Sequence, residues 1–194
     1  MEVFVMSNKL KELTWAHHQA AERRAFAKEL LSGKIDPALY HKFLCCQYMN
    51  YSVLEQLAII PPNLNKIKRH RRIFEDIREL ETTFGLEPPD KYPPSVSQYA
   101  AHLYALSEAD DNEGLLAHMY VRHFGELHGG QMIKKKIPGN GLMYEFEGDT
   151  KVLIEEFRKL LSDDMAEEAK KCFDFASQLF DELSKEMEDK TVDI

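Results

Sequence analysis

Apolar residues recur at three- and four-residue intervals along almost the whole chain, and almost nothing alternates with the period of two that marks a strand. The pattern predicts helices near 7–32, 37–60, 66–84, 95–106, 112–137, 150–161 and 163–188. The punctuation between them agrees. No glycine or proline interrupts 7–32, Asp36-Pro37 is a capping residue with proline at the first helical position, and Pro61-Pro62-Asn63 stops the second run. Pro88-Pro89 through Pro93-Pro94 makes a stiff connection, and Gly139-Asn140-Gly141 closes the fifth run. The fold class is therefore all-α. With 194 residues and no repeat or Gly/Ser-rich break, the chain reads as one domain over 1–194 with flexible ends at 1–6 and 189–194.

One helical run carries an expensive composition. Between His118 and Gln131 it places Gly125, Gly129 and Gly130 inside the helix, and each interior glycine costs about 1 kcal/mol relative to alanine. Gly125 and Gly129 are four apart and share a face. Two readings stand: a helix cap at Gly129-Gly130, or a bare backbone face against which a flat ligand can lie.

Near the N-terminus, Glu22 follows His18 by one helical turn. An imidazole that ligates a metal through one nitrogen commonly donates its other N–H to such a carboxylate, which fixes the tautomer. His17 lacks that partner, since one turn on it meets Ala20 and Ala21. A solvated surface pair has the same spacing, so the pattern is ambiguous alone.

Charge narrows the partners. Against 33 Asp and Glu stand 25 Lys and Arg, a formal net charge of −8, which disfavours nucleic acid. No apolar run approaches the roughly 20 residues that span a bilayer, and MEVFVMSNK does not read as a signal peptide, so the expectation is a cytoplasmic chain without a membrane anchor. Cys45, Cys46 and Cys172 have neither metal-ligand nor disulfide-framework spacing and read as buried structural thiols.

Together the two special segments resemble the haem oxygenase family. Its proximal pattern appears as His18, Ala21, Glu22 and Phe26, and its distal signature as His118, Tyr120, Arg122, Gly125, Glu126, Leu127, Gly129, Gly130 and Gln131. Tyr48-Met-Asn-Tyr51-Ser-Val-Leu-Glu55 and the segments from Glu168 to Phe173 and from Gln178 to Leu183 also fit, in order, over nearly the whole chain.

The resemblance implies haem b held between the first helix and a kinked glycine-rich helix, acting as cofactor and substrate. It implies cleavage at a meso carbon, the α position, to biliverdin, carbon monoxide and ferrous iron. His18 is then the axial iron ligand with Glu22 behind it. Gly125 and Gly129 let backbone approach bound O2, and Arg122 and Tyr51 match positions of the distal proton network. That network is organised in the family by an aspartate where this chain has Glu126. His128 stands where relatives carry a small residue, so it is a candidate distal proton donor or sixth ligand. Lys11, Tyr120 and Arg158 match propionate-holding positions, whereas Trp15 and Ile154 replace basic residues, and Phe173 matches a pocket wall.

The chain has no flavin, nicotinamide or iron–sulfur motif, so electrons come from outside. Lys68-Arg69-His70-Arg71-Arg72 and Lys134-Lys135-Lys136 are basic runs in an acidic chain. Both read first as solvated faces. The second follows the distal helix and is a candidate dock for an acidic carrier such as ferredoxin. A non-catalytic haem carrier or sensor is the alternative reading. Thiaminase-like and diiron readings lack, respectively, a marked nucleophile and a Glu-x-x-His pair.

Overall fold

In the computed structural model the backbone is described over residues 8–192 and side chains over 9–187, except His128. The first predicted helix is divided. α1 (Asn8–Glu22) ends before an extended Arg24 (φ −62°, ψ 147°), and α2 (Ala25–Ser32) restarts beyond it. Neither glycine nor proline marks that break. Its cause is tertiary: Phe26 is fully buried, its N–H donates to Ser184 Oγ at 3.1 Å, and Arg24 pairs with Asp181 at 3.0 Å.

The remaining helices follow the predicted order: α3 (Pro37–Leu57), α4 (His70–Phe84), α5 (Pro94–Glu108), α6 (Asn112–Lys134), α7 (Thr150–Arg158) and α8 (Ala166–Val192). Asp36 caps α3 by accepting from Leu39 N at 3.0 Å, and Asp111 caps α6 by accepting from Gly114 N at 2.8 Å. Gly33 (φ 76°) ends α2 and Gly85 (φ 65°) ends α4, both in the left-handed region. Short 3-10 turns at Pro62–Ile67 and Asp163–Met165 take up the starts of two predicted runs, and a third at Leu142–Tyr144 lies in the connection between α6 and α7. No strand occurs among the described residues. The predicted flexible end at 1–6 lies outside the described residues, as do 193–194 of the other, and the backbone of α8 is described to Val192.

α3 lies at the centre, packed on α4, α5 and α6, and α8 packs on α1, α2, α5 and α6. One apolar core gathers Leu54, Leu103, Leu115 and Phe157, and another gathers Phe26, Phe43, Ile73 and Leu183. α1 and α6 both rest on α8 and on the turn Asp163–Met165 but make little direct contact with each other. No helix among the described residues is long and apolar enough to cross a membrane.

Candidate active site

α6 settles what its glycines are for. The helix runs unbroken through Gly125, Gly129 and Gly130 to Lys134, and none of the three has a positive φ, so they do not form a cap. A Cβ added at Gly125 or Gly129 meets nothing within 4 Å, while at Gly130 it meets the Tyr144 ring at 2.7 Å. Two glycines therefore keep a helix face bare toward open space, and the third admits a neighbouring aromatic ring. The substitutions separate these roles. Gly129→Ala is expected to raise the melting temperature of the haem-free protein, because alanine gains about 1 kcal/mol in a helix. Gly130→Ala is expected to lower it, since the Tyr144 ring must move, at about 1–3 kcal/mol; equal shifts in a thermal melt would refute the distinction.

His18 lies half-exposed near the end of α1, with Nδ1 3.6 Å from Glu22 Oε2. At that distance the pair is an electrostatic contact and not a hydrogen bond, and Nδ1 is buried without a hydrogen-bond partner among the described residues. The Trp15 ring stacks on the imidazole at 5.2 Å, and Phe173 of α8 meets it edge-on at 5.7 Å. Lys11 Nζ stands 5.7 Å over Trp15. Tyr120 of α6 is held beside Thr14 of α1 and feels the positive charge of Arg158. The structure thus lines Lys11, Trp15 and His18 along α1 with Phe173 against His18, and brings Tyr120 beside the same helix, with Arg158 near enough to Tyr120 to act on it.

A buried polar ladder joins α3 to α6. The hydroxyl of Tyr51 donates to Glu126 Oε1, Arg122 Nη1 donates to Gln47 Oε1 at 3.0 Å, and His123 Nε2 meets Glu55 Oε1 at 2.8 Å. Gln47, Tyr51 and Glu55 are spaced by four, one turn apart on α3. Arg122 also donates from Nε to the Tyr99 hydroxyl at 2.9 Å and lies 4.3 Å over that ring. Glu126 Oε2 is buried and has no partner among the described residues. Burial pushes this carboxyl up to about 8, although the Tyr51 hydrogen bond and the charges of Arg69 and Arg122 oppose the rise. Glu126 therefore holds a proton at neutral pH next to an open helix face.

Two sequence readings change. The run from Lys68 to Arg72 is not a solvated face: Arg69 is 4% exposed, stacks on Phe146 at 4.0 Å, and donates to the carbonyls of Ile67 and Lys66 at 2.9 and 2.6 Å. Lys134 is paired with Glu145, so the exposed charge of the second run rests on Lys135 and Lys136. The three cysteines are free and buried, as expected, and burial pushes Cys45 and Cys46 up to about 12. The side chain of His128, the candidate sixth ligand, lies outside the described residues. Gln47, Arg69 and Tyr99 were missed, because a polar residue in a helical run carries no sign of which helix it will face.

A face fit for a planar group, a carboxylate-backed imidazole and a buried proton-holding side chain define a haem-binding helical protein. Known proteins agree. The heme oxygenase family model matches residues 5–182. Heme oxygenase 2 of Macaca fascicularis is 28% identical over 95% of this chain and 67% of its own length, and the heme oxygenase of Pyropia yezoensis is 26% identical over 94% and 87%. The crystal structure of heme oxygenase-1 from the cyanobacterium Synechocystis in complex with heme superposes with a TM-score of 0.79 at 23% identity, covering 95% of this chain and 96% of that one. The chain belongs to the haem oxygenase family of haem-degrading enzymes.

Proposed function

We propose that this protein opens haem at one meso carbon, the α position, releasing biliverdin, carbon monoxide and ferrous iron with electrons from an external carrier. The observation that carries the reading is the bare Gly125–Gly129 face directly adjoining Glu126, whose buried Oε2 lacks a protein partner. Haem supplies the redox-active iron and is also the molecule that is opened. His18 would bind the iron, with Glu22 behind the ring, its carboxylate 3.6 Å from Nδ1. Lys11, Tyr120 and Arg158 would hold the propionates, and Phe173 would close the wall beside His18. Gly125 and Gly129 would leave room for the macrocycle against the backbone of α6, and the rest of that helix would decide which edge stays accessible. Glu126, positioned by Tyr51 and faced by Arg122, holds and returns protons through Oε2.

Lys135 and Lys136 dock an acidic one-electron carrier such as ferredoxin. The purified protein with hemin is expected to show one-to-one Soret binding, and with reduced ferredoxin, loss of the Soret band as α-biliverdin appears by chromatography. His18→Ala is expected to lose the native ferric spectrum and turnover together. Raising salt is expected to slow electron delivery. Binding without conversion would overturn the reading in favour of a haem carrier or sensor.

A further inference from the structure

A second set of ligating side chains lies apart from His18. α5, α6 and α8 bring His102, His118 and Glu168 together, with one ligand atom from each inside a sphere of mutual separation of 4.8 Å. Both imidazoles direct Nε2 at the same carboxylate oxygen: His102 and His118 each meet Glu168 Oε1, the latter at 3.1 Å. Side-chain exposure is 23% for His102, 0% for His118 and 14% for Glu168, so the cluster is sheltered but reachable from the His102 side.

The surroundings prepare these atoms for a cation. His118 Nδ1 lies 3.1 Å from the Tyr99 hydroxyl. With its Nδ1–H donated there, His118 keeps a fixed tautomer when the proton it directs from Nε2 at Glu168 leaves, and the Nε2 lone pair then faces the cluster. Tyr99 is itself fixed by Arg122 Nε at 2.9 Å. Phe175 packs on both Tyr99 and His102, at 5.2 and 5.3 Å, and limits their swing. Glu168 is free to back away by the small distance an inserted ion requires, since among the described residues its other oxygen is held by Lys171 at 2.7 Å, and that lysine is 55% exposed.

We propose that His102, His118 and Glu168 form a binding site for a single divalent transition-metal ion of the zinc class. Two imidazoles and one carboxylate are a donor set that leaves a coordination position open, here on the His102 side, where solvent enters. Imidazole nitrogen discriminates against calcium and magnesium, which take all-oxygen cages. On binding, the ion takes the place of the two imidazole protons that now face Glu168. The site is not part of the haem pocket, but it is wired to it: the ion fixes His118, His118 fixes Tyr99, and Tyr99 holds Arg122 over the distal network.

The test uses the full haem-free chain and Co2+ alone as a visible-absorbing probe, followed by displacement with Zn2+. The expected result is a d–d absorption band that saturates at one Co2+ per chain and is abolished by one equivalent of Zn2+. His102→Ala, at the solvent edge, is expected to weaken binding about 100-fold, and Glu168→Gln, which preserves the shape of the side chain, is expected to do the same. Far-UV circular dichroism of both variants checks that the fold is kept. His18→Ala is expected to leave the band unchanged. Absence of the band at tenfold excess Co2+, or a band lost in His18→Ala and retained in His102→Ala, would overturn the proposal.

Discussion

Glu126→Gln is expected to make the haem-free protein more resistant to urea at pH 9 and equally resistant at pH 5, while lowering biliverdin formation about 100-fold. Both halves follow from one buried carboxyl. Glu126 is 7% exposed, and its folded value of about 8 stands above the ordinary glutamate value of 4.5. Between those two pH values the folded chain keeps a proton that the unfolded chain has released. The unfolded state then binds fewer protons, so stability falls as pH rises and the loss is complete above about pH 8. A gap of this size corresponds to on the order of 3–5 kcal/mol. Glutamine keeps the size and an acceptor for Tyr51 but never ionises, so the variant escapes this loss. It also cannot pass a proton. Parallel urea curves for the two proteins across this pH range would show that Glu126 does not titrate in the folded state.

The same residue shows what was legible in the sequence and what was not. That Glu126 sits beside the glycines is a matter of order along the chain, and the spacing of Gly125 and Gly129 already put them on one face. Helical periodicity likewise placed six of the seven runs to within a few residues, because amphipathic burial is a local pattern. The break at Arg24 was invisible, since it is enforced by Ser184 and Asp181 more than 150 positions away. The metal-ligand triad was equally hidden. His102, His118 and Glu168 have no i, i+3 or i, i+4 relation, and only the packing of α5 and α6 on α8 makes them neighbours. Arg69 illustrates a third kind of failure: a run of basic residues looks solvated, but its second member stacks on an aromatic ring and spends its N–H groups on carbonyls. Charge runs report composition, whereas burial is decided one side chain at a time.

Glu55→Ala is expected to be among the most damaging single changes in the molecule. The carboxylate is 2% exposed and accepts from His123 Nε2 at 2.8 Å, from the backbone of Arg69 at 2.5 Å, and from His70 through its backbone at 3.2 Å and Nδ1 at 2.5 Å. It fastens the end of α3 to α6 and to the start of α4. Alanine leaves those donors without an acceptor, and the His123 ring is wholly buried, so the cost is about 3–5 kcal/mol. For a chain of this size each kcal/mol lowers the melting temperature by about 2–4 °C, giving a fall of about 10 °C. Turnover is expected to drop as well, because His123 sets the rotation of α6 three residues before Glu126. The pH dependence has the opposite sign to that of Glu126. Burial acts to raise the Glu55 carboxyl, but the His123, Arg69 and His70 hydrogen bonds prevail and hold it below the ordinary value. Its contribution is therefore full above about pH 4.5, the ordinary value, and is lost as pH falls through the lower folded one. Stability of the haem-free protein then falls on the acid side through Glu55 and on the alkaline side through Glu126, with these two groups placing the optimum near pH 5. In Glu55→Ala the acid limb is expected to flatten while the alkaline limb remains, a result that thermal melts across pH 3–9 will read directly.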